Sequence, residues 1–208
     1  AADDKFQPTV VFASKAVANR VMVGAVLNNL QQYQTFVFEN DVPATATMRG
    51  LLFESQVQMT VSDPGRHSAY KARSLGNSPP LANATVTLGC SAARVLVSAG
   101  DLAELGPGEY GIGRMNFPAV DGVLKNVDGS VELLQVTTNK QHGIKHHALK
   151  TIVDKLGATT IRMLWVVTPA EFEQFPAQTF RHQGTGNVVK EPAAALRAIP
   201  QYVVAFPR

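Results

Sequence analysis

Residues 119–137, AVDGVLKNVDGSVELLQVT, constrain the fold more than any other stretch. Two apolar runs flank Asp128-Gly129, a pair suited to a tight reversal because glycine enters the left-handed region without steric cost. HHALKTIVDKLG follows at 146–157. In it Leu149, Ile152, Val153 and Leu156 recur as i, i+3, i+4 and i+7, and Gly157 supplies a C-cap. TTIRMLWVVTP, residues 159–169, then reads as a strand buried on both faces. A hairpin followed by a crossover helix and a buried strand implies a mixed sheet with helices packed on it. The expected class is α/β (α+β), a mixed central sheet flanked by helices.

The hairpin register decides what lies beside Asp121. On the second run Val131, Leu133, Gln135 and Thr137 share one face, and Glu132, Leu134 and Val136 share the other. A three-residue loop, Val127-Asp128-Gly129, pairs Asn126 with Ser130 and therefore Asp121 with Gln135. A two-residue loop pairs Asp121 with Val136 instead. The first register is preferred because it gathers the polar groups. Two oxygen-bearing side chains on adjacent strands suit a hard cation such as Mg²⁺, which binds through one or two carboxylates and keeps several waters. The alternative is an Asp at a strand end that binds no ion.

The rest of the chain is read more coarsely. Residues 10–38 predict one long helix or two, ended before Pro43. Residues 45–62 predict a helix with Met48, Leu51, Leu52 and Met59 on one stripe, stopped by Asp63-Pro64-Gly65. Residues 66–83 are polar and rich in Ser, Asn and Pro, which predicts a loop. Residues 84–89 and 93–98 predict short strands around a turn, and the Gly-rich 101–114 an irregular segment. A helical turn over 170–176, a short helix within 181–198 and a strand over 201–207 complete the reading. The opening AADDKFQPTVV looks like a cut made inside a longer protein. Residues 1–42 are therefore expected to be a helical fragment of an upstream region, and 43–208 one domain.

Composition narrows the chemistry. With 45% hydrophobic and 17% charged residues the chain can bury an ordinary core. Cys90 is the only cysteine, which excludes an intramolecular disulfide and cysteine-based zinc sites. No run approaches the roughly 18 apolar residues of a membrane span. The net charge is only +3, but Lys140, Lys145, Lys150 and Lys155 cluster with His142, His146 and His147 against a single acid, Asp154. Such a block suits a polyanion.

FPAVDGVL, then LLQVTTNKQHGIKHHALKTIVDKLG, with RGLLFE upstream and IRMLWVVTP downstream, together resemble the C-terminal nuclease-like domain of crinkler effectors. The pattern is similar also to the retrotransposon hot-spot proteins of trypanosomes. Both groups are placed in the restriction-endonuclease-like PD-(D/E)xK superfamily, whose core is αβββαβ, and the likeness spans residues 44–206. The resemblance implies a divalent-metal-dependent nuclease, an effector or toxin domain hydrolysing phosphodiester bonds in DNA, with RNA left open. It implies secretion and action in a host nucleus. Residue by residue, Glu54 would be the helix acid, Asp121 the central metal ligand and Gln135 the third-strand ligand, joined by the Val136 carbonyl around Mg²⁺ or Mn²⁺. The family's lysine would stand at 137, where this chain has Thr137. Lys145 or Lys140 would have to supply its charge, and His142 would be a proton donor or phosphate contact. Lys140, Lys145, His146 and Lys150 would hold nucleic acid.

The departure at 135 and 137 keeps a second reading open: a catalytically inactive pseudo-nuclease that binds nucleic acid or a host protein. A third is a protein-interaction module docking through 10–38. His142, His146 and His147 raise a zinc site, without HExxH and without a third ligand in view. GPGEYGIGR lacks the GxxxxGK[ST] of a phosphate loop.

Overall fold

The computed structural model describes residues 46–114, 117–157 and 160–206, so the helices expected over 10–38, and 1–42 as a unit, lie outside the described residues. Helix α1 (Ala46–Val61) fills the expected span. Its buried stripe is not the expected one: Leu52, Phe53, Val57 and Val61 are buried, whereas Met59 is 38% exposed. The stripe follows i, i+4 and i+8 from Phe53, and Met59 falls off it.

Strand β1 (Ser68–Leu75) occupies the segment expected to be a loop. Only Tyr70, Ala72 and Leu75 are buried in it. Lys71 and Arg73 project outward over the Phe172 ring, 4.8 and 5.5 Å from its centroid, so cationic side chains shield apolar surface there. Strands β2 (Thr85–Leu88) and β3 (Ala92–Leu96) exist as expected but do not pair with each other. β2 pairs antiparallel with β1, and β3 pairs parallel with β4 (Glu109–Gly113). The segment expected to be irregular therefore holds β4, preceded by a 3₁₀ helix over Ala99–Glu104.

Strands β5 (Gly122–Lys125) and β6 (Val131–Val136) form the hairpin. Gly122 faces Leu134 and Lys125 faces Val131, the register that sets Asp121 opposite Gln135. The loop closes as expected, with Asn126 N–H donating to Ser130 O at 2.8 Å and Gly129 at φ +83°. The short strand β7 (Ile144–Lys145) leads into helix α2 (His146–Leu156), which ends at Gly157 with φ +56°. Strand β8 (Ile161–Val167) follows, then α3 (Pro169–Phe172), β9 (Phe180–Arg181), α4 (Ala194–Arg197) and β10 (Gln201–Ala205). β7 and β9 form a separate two-stranded sheet.

The main sheet has eight strands in the order β2-β1-β10-β8-β6-β5-β4-β3. β6, β8 and β10 are parallel to one another, and β5 is antiparallel to both neighbours. The sheet must curl. Its two edges, β2 and β3, are joined only through residues 89–91, which can span at most about 14 Å, whereas eight flat strands would set those edges about 34 Å apart.

Alternation distributes the core between the two faces. Leu124, Leu134, Val136, Leu164, Val166, Tyr202 and Val204 pack with α1. Val123, Val131, Leu133, Met163, Trp165 and Val203 pack with Leu149 and Ile152 of α2. Glu132 breaks the apolar pattern on the α1 side at 1% exposure. Arg162, its register partner on β8, pairs with it, Nε lying 3.2 Å from Oε2, and Asn126 Nδ2 donates to its Oε1 at 3.2 Å.

Candidate functional site

Four segments meet where β6 ends. α1 brings Glu54, the turn before β5 brings Asp121, the end of β6 brings Gln135, Val136 and Thr137, and the segment that follows brings His142 and, on β7, Lys145. All seven line one cavity of about 410 Å³, with Phe117 and Trp165 among its apolar walls.

Asp121 is held by the sheet through both main chain and side chain. Its N–H donates to Leu134 O at 2.8 Å and its carbonyl accepts from Gly113 N–H at 2.9 Å. Oδ2 accepts from the Val136 N–H at 2.8 Å and from Gln135 Nε2. Because a carboxylate oxygen accepts and an amide NH₂ donates, this contact also fixes which end of Gln135 faces Asp121. The strand expected over 117–125 starts only at Gly122, and the reason lies just upstream. Val120 N–H bonds Pro118 O at 2.9 Å around Ala119, whose φ is +65°. This is a γ-turn with a non-glycine residue in the left-handed region, a strain on the order of 1–2 kcal/mol. It interrupts the extended chain and delivers Asp121 to the sheet end.

Thr137 is buried, and its hydroxyl accepts from Asn139 N–H at 2.9 Å. It caps the turn that leaves β6 and brings no cation. His142 is half-buried, its ring 6.0 Å from that of Trp165. Burial, and secondarily the charge of Lys145, push its pKa below the ordinary histidine value, so the imidazole is neutral at pH 7. A neutral ring can bond a phosphate but is a poor resting-state proton donor, which narrows the two roles expected for it. Lys145 is exposed at the start of α2.

The other expected cations lie off the cavity lining. Lys140 Nζ donates to Gln174 Oε1 at 2.8 Å, and Lys150 pairs with Asp154 at 2.6 Å along the outside of α2. His146 Nε2 accepts from Ala193 N–H at 3.2 Å, and its ring meets Phe180 edge-on. Among the described residues no group of three or more His, Cys, Asp and Glu side chains is arranged to hold a metal ion. The three histidines expected as a zinc alternative do not converge. Any cation here would depend on two carboxylates and an amide.

Sequence reasoning missed the supports. Gln58 Nε2 donates to Asp121 O at 2.8 Å, and Tyr110 OH donates to Gln58 Oε1 at 2.7 Å. Gln58 stands one turn beyond Glu54, and that i, i+4 spacing was the available signal. Tyr110 lay hidden in the Gly-rich segment. Its ring needs Gly122: a Cβ there would sit 2.1 Å from the tyrosine oxygen. Gln178, buried in a loop, clamps the segment after β6: Oε1 accepts from His142 N–H at 2.8 Å, and Nε2 donates to Lys140 O at 3.0 Å.

Comparison with family models, with curated proteins and with solved structures finds no match to this chain.

Proposed function

We propose that this cavity is the phosphodiesterase centre of a metal-dependent, PD-(D/E)xK-type nuclease domain acting on DNA. One observation carries the reading: Glu54 of α1, Asp121 at the turn before β5, and Gln135 and Val136 at the end of β6 line the same cavity as His142 and Lys145. The order of the elements around the site is in keeping with it. α1, the β4-β5-β6 meander, α2 and β8 follow one another in the αβββαβ sense, with β1, β2 and β3 placed between α1 and the meander and β7 before α2.

The donor set fits a hard cation. Asp121 and Glu54 would hold Mg²⁺ or Mn²⁺, with the Val136 carbonyl and, once its amide turns from donating Nε2 to Asp121, Gln135 Oε1 completing the set and waters filling the rest. When bound, the ion lowers the pKa of a water and neutralises phosphoryl oxygens. The chain's own residues do the remaining work. Lys145 holds the phosphodiester by charge, and His142 offers a neutral hydrogen bond beside it. Lys140 and Lys150 add a diffuse field that salt weakens. RNA shares this backbone chemistry and is the alternative substrate. Secretion and action in a host nucleus belong to the same reading.

Thr137 favours a second reading. With no lysine at that position and an amide at 135, the domain would bind nucleic acid, or a host protein, without cutting. A plasmid-nicking assay with Mg²⁺ or Mn²⁺, beside a gel shift, separates the two. Cleavage by the wild type that Asp121→Ala abolishes supports the nuclease. Retention of DNA with no nicking supports the pseudo-nuclease, and neither retention nor nicking removes both.

A further inference from the structure

We infer that Gln58 is a positioning residue that sets the helix carrying Glu54 against the strand end carrying Asp121. The inference rests on the nuclease reading above and extends it to a residue that touches neither metal nor substrate.

The hydrogen-bond directions are forced. The Asp121 carbonyl can only accept, so Gln58 must present Nε2 to it, at 2.8 Å. Oε1 then faces Tyr110, whose hydroxyl must donate, at 2.7 Å. Tyr110 is fully buried on β4, seated against Gly122 of β5. The chain Tyr110–Gln58–Asp121 thus starts from one strand of the meander, crosses α1 and returns to the residue at the start of the next strand. An amide can serve this chain because it both donates and accepts. A methionine of similar length can do neither at this geometry, and a glutamate would face the Asp121 carbonyl with a second acceptor.

What Gln58 controls follows from what already holds Asp121. The sheet fixes that residue through Leu134 O, Gly113 N–H and Val136 N–H. Removing Gln58 leaves those three bonds in place. The element it frees is α1, whose apolar contacts with the sheet run through Leu52, Phe53, Val57 and Val61. Glu54 lies one turn before Gln58, so it moves with it. Glu54 and Asp121 line the same cavity, and burial first, then the charges of Asp121 and Glu54, push the Tyr110 hydroxyl's pKa well up.

The test is a double-mutant cycle read by Mn²⁺ binding in a calorimeter, on the full chain. Mn²⁺ binding does not require turnover, so it works for an active nuclease and for an inactive one. Gln58→Met is expected to weaken Mn²⁺ binding by about 10-fold, the lower range for outer-shell changes, and Glu54→Gln, which removes a ligand charge, by more than that. The double variant is expected to be no weaker than Glu54→Gln alone, because Gln58 acts through Glu54. Thermal unfolding checks that each variant is folded at the temperature used. Equal losses from Gln58→Met in both backgrounds, or wild-type binding by Gln58→Met, overturn the inference while leaving the metal site standing. A wild-type chain that neither binds Mn²⁺ nor cleaves DNA overturns the nuclease reading and this inference with it.

Discussion

At the scale of single residues, His142 gives the most direct pH signature. Its folded pKa lies below the ordinary histidine value, first because it is buried and then because Lys145 is near. The unfolded chain therefore takes up the proton first as pH falls. The contribution to stability is complete above the unfolded value of about 6.5 and is lost as pH drops through it toward the lower folded pKa. Urea midpoints at pH 7.5 and 5.5 should fall more for the wild type than for His142→Phe; equal falls would contradict this. Asp121 was legible in the sequence because an acid in phase with strand residues is conspicuous. Its partner Gln135 followed from a three-residue loop, preferred over a two-residue one because it gathers the polar groups. The i, i+4 spacing from Glu54 marked Gln58 only as a neighbour on the helix; its contact with Tyr110 was not legible, since residues on separate elements carry no mark of their meeting.

At the scale of elements, the buried pair between Glu132 of β6 and Arg162 of β8 joins two central strands. Glu132 is the buried member, whereas the Arg162 side chain is about 32% exposed, so removing Arg162 leaves a carboxylate inside without its cation. Arg162→Ala should therefore cost about 3–5 kcal/mol and Glu132→Ala less, whereas an apolar replacement of both residues should recover most of the larger loss. Urea unfolding of the single and double variants measures the difference; an Arg162→Ala variant within about 1 kcal/mol of wild type would show the pair to be dispensable. The pair was readable in part, because Glu132 shares a face with Leu134 and Val136. Its partner depended on the β6–β8 register, which no local pattern specifies. Local signals did place α1, the hairpin, α2 and β8, where periodicity and turn chemistry agree. They failed at β1, whose few buried residues resemble a loop, and at β2 and β3, which look like a hairpin but form opposite edges of the sheet.

At the scale of the molecule, the curl of the sheet and the crossover through α2 bring chain segments more than 80 residues apart to one cavity, Glu54 and His142 among them. The mixed sheet with helices on both faces was legible as a class, since a hairpin, a helix and an apolar strand in succession leave few ways to pack. Its eight-strand extent was not, because edge pairings are long-range. The central claim is that the acids of this cavity, with the Gln135 amide, hold a divalent ion. Anomalous diffraction from crystals soaked in Mn²⁺ tests it most directly. One peak within ligand distance of Asp121 and Glu54 is expected, lost in Asp121→Ala crystals. Density for Mn²⁺ only elsewhere, or none at concentrations that support binding in solution, would contradict it.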